Sequence, residues 1–147
     1  MDSSFKYPKL DLDRHTKYLN VLAKIAADIP SPIRSNARHA ACVVIQNDIV
    51  AFGVNEMKSH PFQAKFSKNK EAVYLHAETS AIKNALKYVS VDDLERATLY
   101  VARIKSCPNH LLHFGLSRPC SGCVRCINTF GIRQVVFSLD HGYEMLY

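Results

Sequence analysis

The sequence His-Ala-Glu at residues 76–78 is followed, after 40 intervening residues, by Pro-Cys-Ser-Gly-Cys at residues 119–123. The two motifs contain one imidazole and two thiols, those of His76, Cys120 and Cys123, which are donor groups that zinc prefers in proteins. A catalytic zinc site has three protein ligands and leaves one tetrahedral position open for water. The spacing therefore predicts a catalytic metal site with Zn²⁺ as its cofactor.

Glu78 is the carboxylate that this ligand set does not need. Zinc lowers the pKa of a bound water from about 15.7 to about 7, but a reaction at that water still needs a group that moves protons. If Glu78 lies in the first turn of the helix that carries His76, its carboxylate is beside the metal, and the helix N-terminus favours the ionised form. The pattern predicts a catalytic proton shuttle at Glu78, and the alternative is an ordinary first-turn helix charge.

Two other interpretations of the motif stay open at this stage. In the first, the zinc is structural, and a fourth protein ligand closes the site. Cys126 is the candidate for that ligand, although its spacing of three residues from Cys123 equally suits a core position on one helix face. In the second, the two cysteines are buried as small apolar residues and His76 caps a helix without any metal.

The arrangement H-x-E followed by P-C-x-x-C is a known signature of zinc deaminases that act on nucleobases. On these motifs the chain resembles the cytidine/deoxycytidylate deaminase superfamily, from Arg38 to Leu139, about two thirds of its length. The resemblance implies hydrolytic deamination of a cytosine nucleotide, in the first place of dCMP to dUMP with release of ammonia. Histidine as the first ligand is more similar to the deoxycytidylate, tRNA-adenosine and polynucleotide-editing branches than to free-cytidine deaminases.

The resemblance also implies substrate-binding residues. Asn55 stands where the family has an asparagine that hydrogen-bonds a sugar hydroxyl, and a turn asparagine is the alternative. The backbone N–H groups of Ala77 and Cys120 are candidate donors to the pyrimidine carbonyl and the attacking hydroxide, because helix N-termini present free N–H groups.

Two alternative functions remain beside the mononucleotide deaminase. The first is a deaminase that acts on a base in tRNA or single-stranded nucleic acid, which would bind a splayed-out base and follow the backbone electrostatically. The second is a catalytically silent module that binds zinc or a nucleotide. Glu78 argues against the silent module, because a module without turnover does not need a proton shuttle.

Composition limits the class of protein and its partners. The chain has 147 residues, 48% of them hydrophobic, which predicts a single domain over residues 1–147. A net charge of +6 favours an anionic partner, which can be a small nucleotide substrate or a nucleic acid. No apolar run approaches the 18 residues or so of a membrane span, and five cysteines suit a reducing compartment, so we expect a cytoplasmic protein with no membrane partner. The relatives it resembles are often homo-oligomers.

Hydrophobic periodicity predicts an α/β fold of three layers, with a mixed sheet, an N-terminal hairpin and helices on both faces, like that of cytidine deaminases. The predicted helices cover residues 11–28, 75–89 and 120–130, and the predicted strands cover residues 40–45, 49–54, 97–104 and 133–139. Asn47 and Asp48 separate the two strands of the hairpin. The tail at residues 143–147 completes the sheet, covers the site or packs on a neighbour, and the sequence does not choose among these.

Two polar segments flank the motifs. Residues 56–74 are predicted to be a substrate-covering loop, whose lysines and phenylalanines either grip a phosphate and stack a base or form a solvated surface. The basic and aromatic candidates are Lys58, Lys65, Lys68, Lys70, Phe62 and Phe66, with Arg34 and Arg38 as comparable phosphate ligands. An insertion at residues 104–118 contains Cys107, His110 and His113, which bind a second metal, shape the pocket or do neither.

Overall fold

The computed structural model describes residues 13–29, 38–56, 60–66, 76–106 and 112–146. The helices are α1 (Arg14–Ala27), α2 (Pro61–Phe66), α3 (Ala77–Ala85), α4 (Val91–Leu94) and α5 (Ser121–Thr129). The strands are β1 (Arg38–Ile45), β2 (Asp48–Val54), β3 (Thr98–Ser106), β4 (Leu112–Gly115), β5 (Gln134–Ser138) and β6 (Tyr143–Met145). Within these described ranges no helix is both long enough and apolar enough to cross a membrane.

The strands form one mixed sheet in the order β2-β1-β3-β5-β6, with β4 also paired to β3. The β1–β2 hairpin is antiparallel, β1 and β3 are antiparallel, and β3 and β5 are parallel. β6 pairs antiparallel with β5, so the C-terminal tail extends the edge of the sheet. The predicted mixed sheet with an N-terminal hairpin is confirmed.

Helices cover both faces of this sheet. On one face, Leu19, Leu22 and Ala26 of α1 are spaced by three and four residues and pack with even-numbered residues of β1 and β3 in one buried cluster. On the other face, Ile82 of α3 and Ile127 of α5 pack with odd-numbered residues of the same strands. Successive side chains of a strand point to opposite faces, so each central strand is buried on both sides. This arrangement confirms the three-layer α/β prediction.

The β1–β2 turn lies one residue earlier than predicted. Gln46 and Asn47 have φ values of 51° and 68°, and Ile45 pairs with Asp48, so the two-residue turn is Gln46-Asn47 rather than Asn47-Asp48. A two-residue turn with positive φ at both positions matches the right-handed twist of its strands. The Tyr18 hydroxyl of α1 donates to the Asn47 carbonyl at 2.7 Å and fixes the turn to that helix.

The structure differs from the sequence prediction in two neighbouring segments, the predicted substrate loop and the predicted helix that follows it. The described part of residues 56–74 contains α2, a six-residue helix that the polar composition concealed. The helix predicted for residues 75–89 begins at Ala77 and ends at Ala85. A separate short helix, α4, follows, because Ser90 and Asp93 form a reciprocal capping box at its N-terminus.

The insertion after β3 is an additional β-hairpin. β3 extends to Ser106, two residues beyond its predicted end, and pairs antiparallel with β4. His113 lies half-buried on β4, opposite Lys105. Cys107 and His110 lie outside the described residues, so a second metal at this cluster stays a prediction.

Two buried serines connect the inserted hairpin to the sheet. β5 pairs with β3 only as far as Val101, and β4 pairs with β3 from Arg103 onward. At this junction the Ser117 hydroxyl donates to the Val101 carbonyl at 2.9 Å, and the Ser138 hydroxyl donates to the Gly115 carbonyl at 2.7 Å. The Ser138 N–H in turn donates to Ser117 Oγ at 2.8 Å. These bonds fix the segment that leads directly into Pro119 and Cys120.

Gly53 sets the distance between β2 and α3. A Cβ at this position would lie 2.3 Å from the Ala81 nitrogen and 2.5 Å from the Ala77 carbonyl oxygen. Both are backbone atoms of α3, which cannot move aside as a side chain can. Only glycine therefore allows the helix to pack this closely on the strand.

We predict that Gly53→Ala lowers the free energy of unfolding by about 1–3 kcal/mol or more, because the new methyl group overpacks the strand-helix contact. Gly115→Ala is the matched control, since its Cβ would meet only flexible side-chain atoms of Arg103 and Lys105, at 3.2 and 3.4 Å. Urea unfolding of both variants measures the difference. Equal losses in the two variants would contradict a special role for the close contact at Gly53.

Candidate metal centre and active site

The three predicted metal ligands lie at the starts of two helices. His76 is the N-cap residue of α3, and Cys120 is the N-cap residue of α5. Both have extended backbone conformations, and neither uses its side chain to cap its helix. The side chains are therefore available for another partner, and Cys123, fully buried one turn into α5, completes the group.

The donor atoms have separations that suit zinc. His76 Nδ1 lies 3.5 Å from Cys120 Sγ and 3.3 Å from Cys123 Sγ. A tetrahedral zinc with bonds of about 2.3 Å to sulfur and about 2.0 Å to nitrogen needs sulfur-nitrogen separations of about 3.5 Å. Across the described part of the chain, these residues form the one group of three His, Cys, Asp or Glu ligand atoms within 4.8 Å of one another. The site fits a zinc ion, and these residues could hold it.

Hydrogen bonds within the group favour a thiolate at Cys120. Donation from the Cys123 thiol and from His76 lowers the pKa of Cys120 to about 3, although partial burial opposes this shift. The same hydrogen bond to Cys120, together with burial, raises the pKa of the Cys123 thiol. The negative charge therefore concentrates on Cys120 without a cation, and a divalent cation would favour the thiolate form of both cysteines.

Glu78 lies where the motif predicted, in the first turn of α3, with only 6% of its surface exposed. Burial raises the pKa of its carboxyl, while its own backbone N–H and the nearby His76 lower that pKa in part. The sequence interpretation considered only the helix N-terminus, which favours the anion, and burial acts in the opposite direction. An acid that is buried beside the ligand group can exchange protons there without competition from bulk water.

Cys126 belongs to the apolar core. It is fully buried and packs with residues of α3, α5 and the central strands in one hydrophobic cluster. Burial raises the pKa of its thiol to about 12, which favours the neutral form. The group of candidate ligand atoms in the described residues does not include it. The structure therefore favours the core interpretation of Cys126 over a fourth ligand.

Gln63 of α2 is a residue that sequence reasoning missed. Its side chain is fully buried, and its Oε1 accepts from the His76 N–H at 3.2 Å and from the Thr79 hydroxyl at 2.5 Å. The first N–H groups of a helix have no acceptor within the helix, so Gln63 supplies one for the residue that carries the imidazole. A single glutamine in a polar segment gives no periodic signal, and only its neighbours in space reveal the role.

The short helix α2 also packs against α5. The Arg125 Nε donates to the Phe66 carbonyl at 2.6 Å, and the Phe62, Phe66 and Phe130 rings pack with centroids 5.5 to 6.2 Å apart. These phenylalanines therefore pack against one another, and their predicted role as base-stacking residues has no support from this arrangement. Through these contacts α2 connects the helix that carries His76 to the helix that carries both cysteines.

The other basic residues predicted to contact a phosphate are dispersed. Arg38 donates to the Ala27 carbonyl at 3.5 Å, at the end of α1, and thus lies on the face opposite α3. Lys65 is exposed, with its ammonium 5.8 Å from the centre of the Phe66 ring. Arg34, Lys58, Lys68 and Lys70 lie outside the described residues. The structure does not bring Arg38 to the ligand group.

Asn55 is held at the end of the hairpin, next to α3. Its Oδ1 accepts from the His39 N–H at 2.8 Å, and its own N–H donates to the His39 carbonyl at 3.3 Å. Asn55 and Gly53 are two residues apart in an extended segment and therefore face the same side of the sheet, the side covered by α3. The amide is fixed close to the helix start that carries His76.

We predict that Gln63→Ala weakens zinc binding and lowers the free energy of unfolding by about 1–3 kcal/mol, because the His76 N–H loses its acceptor and the Thr79 hydroxyl keeps only the His76 carbonyl, at 3.1 Å. Gln134→Ala is the matched control, since Gln134 accepts a similar bond from Thr98 at 2.7 Å, outside the candidate site. Zinc affinity measured by competition with a chelator separates the two variants. Unchanged zinc affinity in Gln63→Ala would contradict a positioning role.

Two solved structures are similar to this fold. The crystal structure of dCMP deaminase from the cyanophage S-TIM5 in apo form has a TM-score of 0.56 at 20% identity, covering 88% of this chain and 86% of that chain. The structure of that deaminase in complex with dCMP and dUMP has a TM-score of 0.56 at 17% identity, covering 87% and 82% of the two chains. At these identities the similarity shows a common fold. The sequences of curated proteins give no match to the chain.

The sequence profile of the cytidine and deoxycytidylate deaminase zinc-binding region matches residues 13–139. This span begins at the N-cap of α1, ends just after β5, and includes both helix starts that carry the candidate zinc ligands. The family assignment, the fold and the His76, Cys120 and Cys123 group agree with one another. The chain belongs to the cytidine and deoxycytidylate deaminase family and is a zinc-dependent hydrolytic deaminase.

Proposed function

We propose that residues 1–147 form a single deaminase domain that converts dCMP to dUMP and ammonia. The observation that carries the proposal is the buried carboxylate of Glu78 beside a group of ligand atoms that fits zinc. A structural zinc site has no use for such a carboxylate, whereas hydrolysis of an amino group needs one to move protons.

In this proposal His76, Cys120 and Cys123 hold the zinc ion. When bound, zinc supplies a Lewis acid that makes hydroxide available near neutral pH. The chain itself fixes the ligands, because both helix starts are held by α2 and by the serine junction at Ser117 and Ser138. Rigid positioning of this kind contributes to catalysis by placing the reacting groups before the reaction begins.

Glu78 moves the protons of the reaction. Its carboxylate accepts a proton from the water that adds to C4 of the cytosine ring, and it delivers a proton to the ring nitrogen. It then accepts the proton of the new C4 hydroxyl and delivers it to the leaving amino group, so that ammonia departs and the ring carbonyl forms. The overall change adds one water and releases one ammonia, with Glu78 returned to its starting state.

Substrate contacts come from the chain around the two helix starts. Asn55, held by its bonds to His39, is the proposed partner of a sugar hydroxyl. The Ala77 N–H is a first-turn donor of α3 without an acceptor inside the helix, and we assign it to the pyrimidine carbonyl. The Cys120 N–H at the start of α5 is the second backbone donor, near the attacking oxygen.

The choice of dCMP is supported by the similar deaminase fold whose crystal structure holds dCMP and dUMP. The net charge of +6 also suits an anionic substrate. Deamination of a base in tRNA or single-stranded nucleic acid remains the alternative, and strong salt dependence of binding would favour it. A cytoplasmic location and a homo-oligomer both stay predictions.

We predict that the zinc-loaded protein releases ammonia from dCMP and not from a cytosine-containing oligonucleotide. Glu78→Gln should retain zinc and lose about 10²- to 10⁴-fold in turnover, because the amide cannot transfer protons. The measurement is ammonia release from cytidine, deoxycytidine, their mono- and triphosphates and the oligonucleotide, with Glu78→Gln as the control. Turnover of the oligonucleotide alone would contradict the assignment to dCMP and support a nucleic-acid deaminase.

A cysteine series tests the ligand set. Cys120→Ala should lose zinc, since it removes one of three ligands. Cys126→Ala should retain one zinc per chain and most of the turnover, and should lose about 1 kcal/mol or more of stability from the vacated core volume. Zinc content by elemental analysis and unfolding by urea measure both effects. A zinc-free Cys126→Ala protein that is still folded would show that the ligand set is wrong.

A further inference from the structure

Arg103 is a cation that nothing in the described residues neutralises. It lies on β3, and its guanidinium Nε is buried without a hydrogen-bond partner among those residues. The ion pairs of the described chain are Arg96 with Asp93 and Lys105 with Asp140, so Arg103 is in neither. A buried N–H of a charged group that has no acceptor is costly, and such a group calls for an explanation, of which an acceptor on a ligand is one.

Three adjacent strands place Arg103 in one row with Asn55 and His39. His39 of β1 pairs directly with Arg103 of β3, and it also exchanges hydrogen bonds with Asn55 at the end of β2. By alternation, all three residues face the side of the sheet that α3 covers. Neighbouring strands are about 4.8 Å apart, so the row from Asn55 to Arg103 spans about 10 Å. The row leads from the start of α3 toward the inserted hairpin.

This row is electropositive. Burial, Arg103 and His76 together lower the pKa of His39 to about 4, in that order of effect, so the His39 ring is neutral near pH 7. The Asp140 carboxylate is within electrostatic range of Arg103, but it is exposed and already accepts from Lys105 at 3.1 Å. Arg103 therefore presents an uncompensated positive charge on the side of the sheet where the metal ligands lie.

The inserted hairpin leaves room for this side chain. Gly115 of β4 lies directly opposite Arg103, and a Cβ there would approach the Arg103 Cδ to 3.2 Å and Cγ to 3.5 Å. The arginine thus extends over a strand position that has no side chain. β3 past Val101 is held on one side by β1 and on the other by β4, and the insertion therefore places Gly115 beside Arg103 where β5 has stopped.

We propose that Arg103 binds the 5′-phosphate of the nucleotide substrate and so selects nucleotides over nucleosides. The proposal rests on the proposed function, with the base at the ligand group and the sugar at Asn55. A guanidinium matches a phosphate well, since its planar fork donates two parallel hydrogen bonds to two phosphate oxygens. A phosphate at the end of the row supplies an acceptor that the described residues do not give to Arg103 Nε.

The test compares Arg103→Gln with Arg96→Gln, which removes the same charge at an exposed ion pair away from the row. For zinc-loaded enzymes, kcat/KM is measured with dCMP and with deoxycytidine. Arg103→Gln should lose about 10- to 100-fold with dCMP, the loss expected for a charge-assisted pair, and stay within about twofold with deoxycytidine. Arg103→Lys should recover part of the loss, because it keeps the charge and not the fork.

Several outcomes would overturn the proposal. An equal loss with both substrates would show that Arg103 supports the fold or the metal site, and an unchanged value with dCMP would show that it does not touch the phosphate. Zinc content and thermal unfolding of each variant identify a folding defect. If a variant unfolds, Gly115→Val gives a second arm, since a larger side chain beneath the guanidinium should also reduce the preference for dCMP over deoxycytidine.

Binding measured by calorimetry distinguishes a failure of the Arg103 proposal from a failure of the proposed function. If the wild-type protein turns over no cytosine compound, the deaminase assignment to dCMP fails, while dCMP and inorganic phosphate can still be titrated into it. Weaker binding of both ligands to Arg103→Gln than to Arg96→Gln would retain Arg103 as an anion site. Equal binding to the two variants, or no binding of either ligand to the wild type, would overturn it.

Discussion

The convergence of two helix N-termini is the constraint on which the rest of the site depends. α3 and α5 start at the same end of the sheet, with His76 Nδ1 and Cys123 Sγ only 3.3 Å apart. Each start carries a partial positive charge, so bringing two together is unfavourable unless negative charge lies between them. The Cys120 thiol, whose pKa is lowered to about 3, can provide that charge. The candidate site residues therefore also bear on how the two helix starts meet.

Polar side chains, rather than apolar packing, fix the details of this arrangement. The two apolar clusters hold helices against the sheet, but such packing is not directional. Gln63 bonds to the start of α3, Arg125 bonds α5 to α2, and Ser117 with Ser138 fixes the approach to Cys120. Hydrogen bonds impose angles and distances, and buried ones are costly to break. The ligand atoms keep their separations because these bonds leave little freedom at the helix starts.

The parts of the molecule that sequence predicts best are those with a periodic signal or a chemical motif. The ligand group follows from donor types and spacing, and α1 follows from apolar residues three and four apart. α2 was missed because six residues carry too little periodicity, and the β3–β4 hairpin was missed because β4 has only four residues. From the sequence alone, Arg103 is interpreted as an ordinary surface charge. Its place in the strand could have revealed its position, since residue 103 continues the odd-numbered positions of β3 that include the buried Leu99 and Val101.

The inserted hairpin bears on the proposed preference for a nucleotide substrate. In the proposed function the two helix starts supply the metal ligands, the proton shuttle and two backbone donors. A contact to the phosphate must then come from elsewhere in the chain, and the proposed contact, Arg103, lies beside the insertion. β4 continues the pairing of β3 where β5 stops and places Gly115 opposite Arg103, while the pairing of β3 with β1 and the alternation of the strand set the face on which Arg103 lies. In this proposal a change at Gly115 alters the space around the Arg103 side chain and so the preference for a nucleotide, while the metal ligands stay where the starts of α3 and α5 place them.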